Sequence, residues 1–141
     1  MKMDKKEFKK STINTFSNLG FNIDGKYIIK ETEDFYLQVE FDKTAYGGEY
    51  YYVYLKIYFK ELHQDIQIKN SSKLYDFSER IEENELPYKI NYLELSIDEY
   101  VKQLKKIYCK NIEPFIKYGK THVMKFDRFK FSPLARQHFS L

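Results

Sequence analysis

Glu40 and Asp42 stand two residues apart in a segment that alternates apolar and polar side chains. On a strand, that spacing puts both carboxylates on one face. Paired carboxyls can do acid–base work, but exposed acids on a strand more often serve solubility. His63 and Asp65 are spaced to touch one metal ion; such a pair in a loop is more often solvated. His122 and His138 lie in separate polar or mixed segments. The sole cysteine, Cys109, has no acidic or His partner nearby in sequence, so a plain half-buried thiol is expected. No P-loop, GxGxxG, HExxH, CxxC or GxSxG occurs. The expectation is therefore no catalytic residue, no metal site and no cofactor.

The stronger signal is the company those carboxylates keep. Phe35, Leu37, Val39 and Phe41 alternate with Tyr36, Gln38, Glu40 and Asp42. Further on, Val53, Leu55, Ile57 and Phe59 alternate with Tyr52, Tyr54, Lys56 and Tyr58. Each arm reads as a strand with one aliphatic row turned inward. The outward row concentrates Tyr36, Tyr52, Tyr54 and Tyr58 beside Glu40 and Asp42. Tyr has high β-propensity and can simply shield backbone. It also gives large contact area at low entropic cost, and carboxylates select a basic partner. Residues 44–49, with Gly47 and Gly48, supply the positive-φ positions of a hairpin loop.

Positioning that hairpin takes the rest of the chain. Asp4 and Glu7 form a capping box for a first helix over residues 4–19. Phe8, Thr12, Phe16 and Leu19 make its apolar stripe, and Gly20 with Phe21 closes it. Asp24 and Gly25 make a turn before a short strand at Tyr27, Ile28 and Ile29. Leu74, Tyr75, Phe77 and Ile81 allow a fourth strand; residues 88–95 suit neither period. Ser96 and Glu99 cap a second helix over residues 97–111, and Pro114 should kink or end it. Residues 122–131 alternate loosely and predict a last strand. Ser132 and Pro133 open a terminal helical turn. The predicted fold is one α+β domain over residues 1–141. Its core is an antiparallel meander sheet of four or five strands, with the helices packed on one face.

Hydrophobic residues are 43% of the 141, enough for a real core, so disorder is not expected. No apolar run approaches ~20 residues, so no membrane span is expected. A charged start and a single cysteine predict a cytoplasmic protein. Net charge is only +3 but unevenly placed. Residues 76–99 carry eight acids, Glu82 and Glu83 among them, against Arg80 and Lys89, a net of −6. Residues 100–141 carry ten Lys or Arg against two acids, a net of +8. That basic third invites a nucleic-acid reading. Acids among the tyrosines oppose it, and nucleic acid is not an expected partner.

An amphipathic helix ending in Leu19, Gly20 and Phe21, a tight turn, a Tyr-rich strand, a long aromatic-aliphatic hairpin and a capped helix with an interior Pro114 follow one another. This order resembles the bacterial domain-of-unknown-function family numbered 4304, over roughly residues 4–118. The resemblance implies a small cytoplasmic protein of the kind encoded beside polymorphic toxins, with an immunity role. It transfers no catalytic residue.

The expected function is a non-enzymatic protein-binding module that neutralises a toxin domain with a basic surface. Its expected contact residues are Tyr36, Glu40, Asp42, Tyr52, Tyr54, Tyr58, Glu82 and Glu83. The alternative is a small-molecule-binding or enzymatic domain.

Overall fold

The computed structural model describes residues 2–44, 50–63, 67–68 and 74–141. Gly47, Gly48, Asp65 and the Asn70, Ser71 and Ser72 stretch lie outside them, and with them the expected hairpin loop. The chain begins with helix α1 (Lys5–Asn18), strands β1 (Asn22–Asp24) and β2 (Tyr27–Glu31), and the long arms β3 (Phe35–Lys43) and β4 (Tyr50–Phe59). Strands β5 (Phe77–Arg80), β6 (Glu82–Glu83), β7 (Leu86–Pro87) and β8 (Lys89–Asn91) come next. Helices α2 (Ile97–Ile107), α3 (Glu113–Tyr118), α4 (Lys120–Val123) and α5 (Pro133–His138) complete it.

Both capping boxes form. Glu7 N–H donates to Asp4 Oδ1 at 2.8 Å, and Glu99 N–H donates to Ser96 Oγ at 3.2 Å, each reciprocated by the Glu side chain. Gly20, at φ 91°, ends α1. Its N–H donates to Ser17 O, and Phe21 N–H donates to Phe16 O, the two bonds of a Schellman motif. The Phe16 and Phe21 rings then meet edge-on at 5.2 Å.

The main sheet has six antiparallel strands in the order β1-β2-β3-β4-β5, with β8 also on β4. This exceeds the expected four or five because the far edge of β4 is shared. Its residues Tyr50, Tyr51 and Tyr52 pair with β8, while Tyr54 to Ile57 pair with β5. The chain between those two strands leaves the sheet as the β6–β7 hairpin. Asn84 and Glu85, both at positive φ, form its two-residue turn.

The inward rows are where the alternation puts them. Phe35, Leu37, Val39, Val53, Leu55, Ile57 and Phe59 are all buried. Phe8 of α1 lies against Phe41, Tyr51, Tyr92 and Tyr100. The hydroxyls of Thr12 and Tyr100 join α1 to α2 through a buried 2.6 Å hydrogen bond.

Helix α2 ends at Ile107, before the expected residue 111. A five-residue π turn, Tyr108–Ile112, follows it. Pro114 has no N–H and its ring would meet the Lys110 carbonyl. The backbone widens instead, and Glu113 N–H reaches Tyr108 O five residues back. Cys109 lies in this turn and is exposed, not half-buried.

The last strand expected over residues 122–131 does not form. Residues 120–123 are helical, and a 3₁₀ turn covers Arg128–Lys130. His122 and Phe126 are one helical turn apart and both lie against Phe115, so the period is near four, not two. Phe131 keeps a single bridge to Phe77.

Candidate functional site

The sheet face opposite α1 and α2 carries the polar rows of β3 and β4. Their register sets Asp42 opposite Tyr52, Glu40 opposite Tyr54, Gln38 opposite Lys56 and Tyr36 opposite Tyr58. Strand β5 adds Arg80 beside Tyr54, and β8 adds Lys89 beside Tyr52. Six of the eight expected contact residues therefore share this face, but they fall at two ends.

At one end, Glu40, Asp42, Tyr52 and Tyr54 form a block two residues deep on each strand. Lys56 Nζ holds the Glu40 carboxylate at 2.8 Å. Asp42 stands two residues from Glu40 on the same face, and its carboxyl is pushed above the usual range. Partial burial is the main cause, and the Glu40 charge adds to it. The Arg80 guanidinium stands 5.3 Å from the centre of the Tyr52 ring. Arg80 Nε is buried with no hydrogen-bond partner among the described residues. Tyr52 and Tyr54 are half-buried. They are framed by both signs of charge, Glu40 and Asp42 with Lys56, Arg80 and Lys89.

At the other end Tyr58 is closed off, which corrects its expected exposure. It is fully buried, apart from the main apolar core. Its hydroxyl donates to Gln38 Oε1 at 2.9 Å, and burial pushes its pKa up. The chain entering β5 brings Tyr75 over this part of the face, its ring centre 4.9 Å from Lys56 Nζ. Tyr36, beside Tyr58, stays half-buried under Lys60 Nζ at 5.2 Å.

Glu82 and Glu83 do not join this face. They flank a shallow cleft with Tyr88, Lys106 and Lys110, on the helix side of the molecule. The β6–β7 hairpin carries them there once Ile81 has bonded to Val53. The net −6 segment is thus divided between the sheet and the helix layer.

One interaction was not legible in the sequence. His63 Nε2 lies 2.9 Å from both carboxylate oxygens of Asp76, and Asp76 Oδ2 accepts from Phe59 N–H at 2.7 Å. Burial pushes the Asp76 carboxyl up, and the His63 hydrogen bond opposes that shift. The pair fastens the chain as it enters β5. No group of three His, Cys, Asp or Glu is placed to hold a metal among the described residues. Among them no helix is long and apolar enough to cross a membrane.

A groove of about 560 Å³ runs along the near edge of β3, between α1 and the β1–β2 turn. It borders the Glu40–Asp42 end of the face.

Compared with models of known protein families, with curated proteins and with solved structures, the chain finds no match.

Proposed function

We propose that this chain is a non-enzymatic protein-binding module whose contact surface is the Tyr52, Tyr54, Glu40 and Asp42 end of the sheet. The observation that supports it is the cross-strand block itself. Two tyrosines sit directly opposite two carboxylates on a face that α1 and α2 leave uncovered. Tyr rings lose little entropy on contact and bury large area, so they are suited to be the anchors of an interface. The carboxylates favour a basic partner and speed its encounter.

The finer reading is an immunity protein that neutralises a bacterial toxin domain in the cytoplasm. It rests on the order of elements over roughly residues 4–118, which resembles that of family 4304. Tyr36 contributes at the margin, while Tyr58 supports the face from within. Glu82 and Glu83 act only if the partner reaches round to the helix side.

Co-expression with the product of the adjacent gene tests the reading. Wild type should restore growth of cells carrying that product and should co-purify with it. Failure of both removes the immunity role.

A further inference from the structure

Strand β2 covers only half of β3. Their pairing runs from Tyr36 to Val39 and stops at the Ile28–Val39 pair, where β2 turns away towards β1. Residues 40–43 keep β4 on one side, and no other strand pairs with them among the described residues. Thr44 N–H donates to Tyr50 O, so even-numbered residues of β3 bond towards β4. By the alternation of an antiparallel ladder, the N–H and C=O of Phe41 point the other way. They point into the groove described above.

The groove has the form an incoming strand requires. Its lining comes from both faces of β3, with Phe8, Phe41 and Tyr51 inward and Gln38, Glu40 and Asp42 outward. A strand beside β3 would place alternate side chains on those two surfaces. Four residues at roughly 3.3 Å each would span the open edge. The charge is also uneven. Lys5 and Lys9 on α1 and Lys26 on the turn line it, against Glu40 and Asp42. Glu40 is already matched by Lys56.

We propose that this groove captures an extended acidic peptide segment, which adds as a strand to the open edge of β3 at residues 40–43. Its apolar side chains rest on Phe8, Phe41 and Tyr51, and its carboxylates meet Lys5, Lys9 and Lys26. The groove shares Glu40 and Asp42 with the Tyr face, but the segment would bind through the backbone edge of β3 and the lysines of α1 and the β1–β2 turn, not through Tyr52 and Tyr54. Lysines can also serve at an edge simply to prevent strand pairing, and the experiment separates the two roles.

The probe is a phage-displayed library of random eight-residue peptides, panned on the immobilised wild-type protein. Enriched peptides should alternate apolar and acidic residues. Their addition should move backbone amide signals at residues 39–43. N-methylation of every second peptide amide should abolish binding, because it removes the ladder donors. Lys9→Glu with Lys26→Glu, both exposed positions, should weaken binding by about tenfold or more without altering the circular dichroism spectrum. Failure to enrich any peptide would leave the lysines as edge guards and overturn the proposal. Enrichment of basic peptides, shifts confined to another surface, or indifference to N-methylation would each overturn it too.

Discussion

The Tyr58 hydroxyl donates to Gln38 Oε1 at 2.9 Å, and both side chains are buried on the sheet face away from α1 and α2. This one bond divides the polar face into a sealed end and an open end. Tyr58→Phe leaves the buried Gln38 amide oxygen without that donor and should cost about 1–3 kcal/mol of stability. Tyr54→Phe, at the open end, should cost less than about 0.5 kcal/mol. Urea unfolding of both variants checks the division, and equal losses would deny it.

Leu55 and Tyr54 are neighbours on β4 but face opposite ways. Leu55 is fully buried against the helix layer. Leu55→Ala should cost about 2–5 kcal/mol, since the inward row has little room to collapse. The same denaturation series measures it.

The inner row was legible because its cause is local. Alternation at period two, the Asp4–Glu7 and Ser96–Glu99 boxes and the Gly20 stop each lie within a few residues. The outer face was not, because burial there is set by distant chain. Tyr58 and Tyr54 are equivalent in the alternation, yet only Tyr58 is fully buried, with its hydroxyl on the Gln38 side chain. The same limit explains His122 and Phe126. Their spacing alone fits a loose strand, and only contact with Phe115 selects the helical turn.

Asp42 gives a pH signature. Its carboxyl is raised above 3.8, first by burial and then by Glu40. A raised carboxyl contributes stability that is fully present below its unfolded value and lost as pH rises through its folded value. Asp42→Asn removes that loss. The variant should be the more stable protein at pH 7, with the difference vanishing towards pH ~3. Because Asp42 is only partly buried and keeps much of its surface in water, screening should hold the gain within about 1 kcal/mol. Thermal unfolding of both proteins across pH 3–7 measures it. A difference that grows on acidification would reverse the sign.

The β6–β7 turn holds Glu85 at φ 67° and Asn84 at φ 54°. A side chain with a Cβ is strained there, and Gly is not. Glu85→Gly should therefore raise stability by up to about 1 kcal/mol, even after the added freedom of the unfolded chain is counted. A loss in chemical denaturation would show that the Glu85 side chain makes a contact that outweighs the strain.

As the proposed interface anchors, Tyr52 and Tyr54 should set the lifetime of the complex. The direct measurement is the dissociation rate of the protein from the immobilised product of the adjacent gene, by surface plasmon resonance. Tyr52→Ala and Tyr54→Ala should each raise that rate by about tenfold or more, and Tyr36→Ala by much less. All three should keep the wild-type circular dichroism spectrum. Dissociation unchanged in the Tyr52 and Tyr54 variants, or no binding by the wild type, would show that this end of the sheet is not the interface.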